Sequence, residues 1–257
     1  MGSPSIGTAE TPSSRWRAAL RIAGLALLFL ACVGPHLVAR RLGRSRWPRR
    51  FLAGSGWICG LDVSTRGELA GKRCLLLANH TSWLDVPVLA TASGTAFVSK
   101  AELGSQPFLR WLADQNRTVY VDRADKRGLH GQVAAVREAL GEHQPLAIFP
   151  EATVANGARL LPFRPALLSA AVPPPPGVAI QPVAIDYGAA TLSLGWTPGE
   201  PGLVNALRIL GRKGRMAITV HFLESLDPDF DRKAMARAAH DAIADALAPS
   251  GIAPAHL

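Results

Sequence analysis

The chain has 257 residues, 48% of them hydrophobic and 18% charged, a composition that fits one folded domain with a substantial core and excludes wholesale disorder. The net charge of +9 is unevenly distributed, because residues 1–50 hold nine Arg and one acid, Glu10, whereas the rest of the chain holds 19 basic and 18 acidic residues. A nearly neutral body argues against a nucleic-acid-binding domain, and we expect the N-terminal part to meet anions.

The N-terminal part begins with residues 1–14, which are small and polar and predict a disordered leader. An uncharged apolar run follows at 22–38, with three Arg before it and six after it. As a helix these residues would span roughly 25 Å, the short limit for crossing a bilayer. The alternative without a membrane, a buried core helix, does not account for the nine flanking Arg.

Three membrane-related interpretations of this run compete. A cleaved signal peptide lacks a clear cleavage site ahead of the second Arg cluster. A transmembrane anchor has basic residues on both flanks, so the positive-inside rule finds no asymmetry. A monotopic or re-entrant helix returns both flanks to one anionic surface, and we favour it. We therefore assign residues 15–58 to a membrane-associating helical segment and 59–257 to one α/β domain.

Short β-type runs alternate with helical patterns beyond Gly60. Strands are predicted at 74–78, 96–99, 118–121, 146–149, 178–185 and 216–222, and helices at 86–92, 129–140, 160–171 and 232–247. This alternation predicts a mixed central sheet flanked by helices.

The three cysteines, Cys32, Cys59 and Cys74, are an odd number, widely spaced and set among apolar neighbours. That pattern indicates neither a disulfide framework nor a zinc site, and a reducing compartment is the simplest inference. None of the seven histidines pairs with another His, Cys or carboxylate at a recognised ligand spacing. We predict no metal and no cofactor.

The clearest chemical signal is the junction after the strand at 74–78. His80 lies in a polar turn and Asp85 at the start of the next helix, so the carboxylate can accept one imidazole N–H and leave the other nitrogen to remove a proton. The alternative is a hydrogen-bonded turn histidine with Asp85 as the helix N-cap. The chain has no G-x-S-x-G elbow and no cysteine suitably placed with a histidine, so these residues indicate no covalent nucleophile.

These residues resemble a known family, the PlsC-like glycerolipid acyltransferases, which include 1-acylglycerol-3-phosphate acyltransferases. Five blocks match in order over about residues 73 to 186: Asn79 to Asp85 (NHTSWLD), Phe97 to Leu103 (FVSKAEL), Val119 to Arg123 (VYVDR), Phe149 to Thr153 (FPEAT) and Gln181 to Ile185 (QPVAI). The resemblance implies that His80 and Asp85 are catalytic. It implies that substrate is bound by Lys100, Arg123, Glu151, Thr153 and Arg164, with Glu151 ordering Arg123 or contacting acceptor hydroxyls. The alternative for the three cations is a solvated surface charge, and for Glu151 it is a structural ion pair.

The third block departs from the usual family pattern. Ala152 replaces the usual Gly, and Val154 and Ala155 stand where many members have Arg and Ser. EATVANG is closer to the E-G-T-x-x-N-G version of a subset that includes members acting on other lysolipids.

The resemblance therefore implies an O-acyltransferase that uses acyl-CoA or acyl carrier protein as donor. The expected acceptor is a lysophospholipid, first 1-acylglycerol-3-phosphate to give phosphatidic acid, with another lysolipid such as lyso-ornithine lipid as the alternative. A non-catalytic membrane adaptor of the same fold is the other alternative. We expect the protein at the cytoplasmic face of the cell membrane, held to an anionic surface by residues 15–50, and we expect no nucleic-acid partner.

Overall fold

The computed structural model describes most of the chain. The described residues are 13–43, 45–100, 106–121, 129–141, 144–151, 159–169, 172–196 and 199–254, without the side chains of Lys100, Leu129, His130 and Gln132. Residues 1–12 of the predicted leader lie outside the described residues. Ser13 and Ser14 are described, and the Ser14 backbone N–H donates to Gly211 O at 2.9 Å.

Over these ranges the centre of the fold is a seven-stranded sheet in the order β1-β8-β7-β2-β5-β3-β4. All neighbours are parallel except β7 and β8, so the predicted mixed sheet is confirmed. A short parallel pair, β6 and β9, lies apart from it. The strands are β1 Leu61–Arg66, β2 Cys74–Ala78, β3 Ala96–Lys100, β4 Val119–Val121, β5 Leu146–Ile148, β6 Arg159–Leu160, β7 Ala179–Asp186, β8 Met216–Phe222 and β9 Ala253–Pro254.

Helices cover both faces of the sheet. They are α1 Arg15–Arg41, α2 Trp47–Ile58, α3 Asp85–Ser93, α4 Pro107–Gln115, α5 Leu129–Gly141, α6 Thr191–Leu194, α7 Gly202–Leu210 and α8 Arg232–Leu247.

The central strand β2 is buried along its whole length and separates two cores. Leu76 faces a cluster that includes Leu89 of α3, whereas Leu75 and Leu77 face a cluster that includes Ile243 of α8. A parallel strand covered on both faces needs apolar residues at every position, which explains the unbroken run CLLLA.

One sequence prediction of secondary structure is wrong. The helix expected at 160–171 is replaced by β6 and a 3-10 turn over Pro165–Leu168. Pro162 and Pro165 explain the difference, because each lacks the backbone N–H that an α-helix interior requires. The sequence patterns also missed the edge strand β1 and the helices α4 and α7.

The long helix α1 contacts the α/β domain near both of its ends. Arg17 Nε donates to Gly211 O at 3.2 Å near one end, and His36 Nε2 lies 2.8 Å from Gln115 Oε1 near the other. Because both contacts belong to one domain, α1 lies along its surface rather than projecting from it. Within the described residues α1 is the one helix long and apolar enough to cross a membrane, by length and composition, and most of its apolar stretch is exposed.

Candidate active site

The site begins where β2 ends, and Asn79 joins that end to β7. The Asn79 side chain donates through Nδ2 to Ile185 O at 3.1 Å and accepts from Ile185 N at 2.7 Å. Asn79 is buried, so this pair of bonds also satisfies its amide. The following turn is thereby held at the carboxyl end of a buried parallel strand, where open α/β sheets place their reactive groups.

His80 and Asp85 form a hydrogen-bonded pair across this turn. His80 Nδ1 lies 2.7 Å from Asp85 Oδ2, and the same oxygen accepts the backbone N–H groups of Thr81 at 2.8 Å and Ser82 at 3.0 Å. Asp85 is the first residue of α3, but its carboxylate turns back to the preceding loop. The predicted contact between the two side chains is thus present in the structure.

The pairing determines which imidazole nitrogen can act as a base. An ionised carboxylate only accepts hydrogen bonds, so Nδ1 of His80 carries the proton and Nε2 keeps its lone pair. Nε2 has no hydrogen-bond partner among the described residues, and the His80 side chain is 19% exposed. The ring stacks on Phe149, with centroids 4.2 Å apart and planes 18° from parallel. His80 is therefore held rigidly with one nitrogen available to a substrate.

Tyr187, which sequence analysis missed, completes the surroundings of Asp85. Its hydroxyl donates to Asp85 Oδ1 at 2.6 Å, and the side chain is buried immediately after β7. Burial, with the adjacent Asp85 charge, raises the pKa of Tyr187 well above its ordinary value. The phenol therefore stays protonated and donates, so that both carboxylate oxygens of the buried Asp85 are satisfied.

Glu151 holds the backbone of the turn that carries His80. One carboxylate oxygen accepts from His80 N at 2.6 Å and the other from Leu161 N at 3.0 Å. Glu151 is 2% exposed, and burial raises its pKa to about 8, with backbone N–H donors opposing the shift. Sequence analysis predicted contact with acceptor hydroxyls or with Arg123. In the structure both oxygens have backbone partners, so Glu151 positions the backbone of His80; Arg123 lies outside the described residues, and the contacts with Arg123 or an acceptor stay predictions.

An apolar cavity of about 660 Å³ opens beside His80, within the range of about 300–1,000 Å³ usual for ligand pockets. Phe29, Cys32 and Phe51 of the N-terminal helices form one wall, and Leu109 and Leu112 of α4 another. The N-terminal segment therefore forms part of the cavity as well as an exposed apolar surface. The cavity can enclose an alkyl chain whose reactive end lies against His80.

The other predicted site residues are less fully described. Lys100 is the last residue of β3, but its side chain, Arg123 and Thr153 lie outside the described residues. Arg164 is exposed, and its backbone N–H donates to Pro150 O at 3.0 Å next to Glu151. Arg159, which sequence analysis did not single out, lines a small second cavity together with Asn79, Thr81 and Glu151. In the sequence Arg159 is, like Arg164, a cation that follows the third block.

The described part of the chain has no candidate metal site and no candidate nucleophilic thiol. No cluster of three or more His, Cys, Asp or Glu suited to a metal ion occurs there. The three cysteines are buried and unpaired. Burial raises the pKa of Cys74 to about 12 and that of Cys59 to about 11, so these thiols are poor nucleophiles.

Comparison with known proteins gives consistent matches. The family model described as Acyltransferase matches residues 60–186. The lyso-ornithine lipid O-acyltransferase of Rhizobium meliloti is 36% identical over 200 residues, covering 72% of this chain and 68% of that protein. The 1-acyl-sn-glycerol-3-phosphate acyltransferase of Neisseria gonorrhoeae is 33% identical over 128 residues, covering 50% of this chain and 49% of that protein.

A solved structure shares the fold. The crystal structure of the 1-acyl-sn-glycerophosphate acyltransferase PlsC from Thermotoga maritima superposes with a TM-score of 0.65, covering 91% of this chain and 96% of that one. The two sequences are 21% identical over the match. The similarity therefore extends beyond residues 60–186 and includes most of the chain.

Proposed function

This chain belongs to the PlsC-like family of O-acyltransferases, and we propose that it transfers a fatty acyl group from an acyl thioester to the free hydroxyl of lyso-ornithine lipid. The observation that carries the reaction type is the His80–Asp85 pair, with Nε2 of His80 unpartnered among the described residues beside an apolar cavity. A general base next to a chain-sized apolar space is what O-acylation of a lipid requires.

The proposed reaction is a direct transfer. Nε2 of His80 takes the proton of the acceptor hydroxyl as its oxygen bonds to the thioester carbonyl carbon. The C–S bond then breaks, and the leaving thiolate receives the proton from the imidazolium. Asp85 stabilises that imidazolium and keeps Nδ1 protonated throughout. Phe149 holds the ring of His80 in place and Glu151 holds its backbone, which limits the reorganisation needed at each step.

The donor chain is proposed to lie in the cavity under α1 and α2. Acyl-CoA and acyl carrier protein both present such a chain as a thioester, and either fits this arrangement. We place the protein at the cytoplasmic face of the cell membrane, with α1 lying in the interface. The exposed apolar side chains of α1, including Leu20, Leu27 and Leu30, support that orientation, as do its contacts with the domain near both ends.

Two observations favour lyso-ornithine lipid as acceptor over 1-acylglycerol-3-phosphate, which the sequence blocks alone placed first. The match to the Rhizobium meliloti enzyme covers 72% of this chain, against 50% for the Neisseria gonorrhoeae enzyme. The third block, EATVANG, lacks the usual Arg. An ornithine head group carries a carboxylate and an ammonium, so it demands less cationic charge than a phosphomonoester does.

The test is a competition assay that offers lyso-ornithine lipid and 1-acylglycerol-3-phosphate to the purified protein with one acyl donor. We expect preferential acylation of lyso-ornithine lipid, and we expect His80→Ala to reduce turnover of both acceptors by roughly a hundredfold to ten-thousandfold. Preference for the phosphate acceptor would refute the head-group assignment alone. Normal turnover by His80→Ala would refute the mechanism.

A further inference from the structure

Four arginines meet where the start of α1 packs against the end of α7. Arg17 and Arg21 come from α1, and Arg212 and Arg215 from the segment between α7 and β8. Arg21 donates to Leu210 O at 2.8 Å and to Gly214 O at 3.1 Å. The position that a Cβ would take on Gly60 lies 2.9 Å from Arg21 Nη2 and 3.5 Å from Arg212 Nη2. The guanidinium groups of Arg21 and Arg212 therefore lie close together beside Gly60, with Gly214 O 3.0 Å from the same position.

The centre of this arginine cluster is buried without a matching negative charge. Arg212 is 7% exposed, its Nη2 donates to Cys59 O at 3.4 Å, and its buried Nε has no partner among the described residues. Over the same residues, neither Arg21 nor Arg212 has a carboxylate partner, whereas Arg215 pairs with Asp62 at 3.0 Å. Burial and the adjacent Arg21 lower the pKa of Arg212 to about 10. An unpaired buried cation costs free energy that a bound anion would offset.

Helix termini compensate only part of the charge. Arg17 and Arg21 bind carbonyl groups at the C-terminal end of α7, and Arg212 binds Cys59 O at the end of α2. Each helix C-terminus is equivalent to roughly half a negative charge, so the two ends supply about one. Asp62 supplies another. Four guanidinium groups thus retain an excess of about two positive charges, to which the exposed Lys213 adds a further one.

Exposed aromatic and apolar side chains border the arginine cluster. Trp16 is 63% exposed and Trp57 68%. The guanidinium of Arg17 lies 5.4 Å from the Trp16 ring centroid, and that of Arg215 lies 5.6 Å from the Trp57 ring centroid. Tryptophan side chains favour the level of the lipid head groups. With α1 in the membrane interface, as proposed above, the arginine cluster therefore lies at the depth of the lipid phosphates.

We propose that the arginine cluster of Arg17, Arg21, Arg212 and Arg215 binds the phosphate of an anionic phospholipid head group whose chains run along the exposed face of α1. Guanidinium groups bind phosphate oxygens in pairs, and a phosphodiester brings the missing negative charge. The bound lipid would fix the start of α1 to the membrane. This inference rests on the proposed membrane-bound transferase, but none of the four arginines lines the catalytic cavity.

The test titrates short-chain phosphatidylglycerol, and separately inorganic phosphate, into the full chain in a neutral detergent. We expect saturable binding of the lipid that Arg212→Gln weakens by about tenfold or more, with little binding of inorganic phosphate. Arg41→Gln, the same charge change in the last turn of α1, is the matched control and should bind normally. Because Arg212 is buried, Arg215→Gln at the exposed rim serves as a second variant if Arg212→Gln does not fold.

The outcomes separate this site from the transfer reaction. We expect Arg212→Gln to keep wild-type transfer between micellar substrates, because the arginine cluster is outside the cavity. Lipid binding that neither variant weakens would overturn the proposal. Inorganic phosphate that binds as tightly as the lipid, and more weakly to Arg212→Gln, would also overturn it, since the site would then bind a free anion. A His80→Ala protein that has lost transfer but still binds the lipid would support a lipid site that is separate from the transfer reaction.

Discussion

Removing the Tyr187 hydroxyl tests whether the buried surroundings of Asp85 support catalysis. In Tyr187→Phe, Asp85 Oδ1 loses its 2.6 Å hydrogen bond and has no other partner among the described residues. A buried hydrogen bond to a charged group is worth about 1.5–3 kcal/mol. If that energy keeps the carboxylate oriented towards His80, its loss lowers kcat by about tenfold to a hundredfold. KM should change little, because Tyr187 lies behind Asp85 and does not line the cavity.

The same change should destabilise the fold moderately. A loss of this size lowers Tm by about 3–12 °C for a domain of this length. Tyr120→Phe is the matched control, since it removes the chain's other tyrosine hydroxyl from an exposed 3.2 Å hydrogen bond to Arg110 O. Steady-state kinetics and thermal melts of both variants make the comparison. A Tyr187→Phe enzyme with kcat within twofold of wild type would show that the Tyr187 contact is structural alone.

Three further predictions follow from the same geometry. Asp85→Asn should lower kcat by at least about tenfold with the fold intact, because an amide no longer stabilises an imidazolium at His80; unchanged kcat would contradict this. Since burial raises the pKa of Glu151 to about 8 from an ordinary 4.5, the folded protein binds the extra proton between these values. Protonation of Glu151 therefore stabilises the fold fully below about pH 4.5, and this stabilisation is lost as pH rises through 8. In denaturant melts, the free energy of unfolding of Glu151→Gln should decline less steeply with pH over that window than that of the wild type. Cys32→Phe should fill part of the cavity and reduce kcat/KM for long-chain donors more than for short-chain donors, whereas Leu27→Phe on the exposed face of α1 should not.

Most strands of the central sheet and the His80–Asp85 contact were predictable because their signals are local. The limits of β2 and β8 agree with the sequence patterns, since a buried strand and a half-buried strand each produce a characteristic hydrophobic periodicity. His80 and Asp85 are five residues apart on either side of one turn, so their contact depends on little beyond that turn. The helix prediction at 160–171 was wrong because the apolar spacing indicates a helix, whereas Pro162 and Pro165 interrupt it.

The amino-acid sequence by itself determined the alternating elements, the basic and apolar N-terminal segment, and the reactive turn. Only the tertiary structure decided what surrounds that turn. Tyr187 and Glu151 are 102 and 71 residues from the groups that they bind at Asp85 and His80. They meet because β2 lies between β7 and β5 in the sheet, which brings the carboxyl ends of three parallel strands together. Hydrophobic periodicity reports which face of an element is buried, but the order of strands in the sheet depends on packing between distant segments.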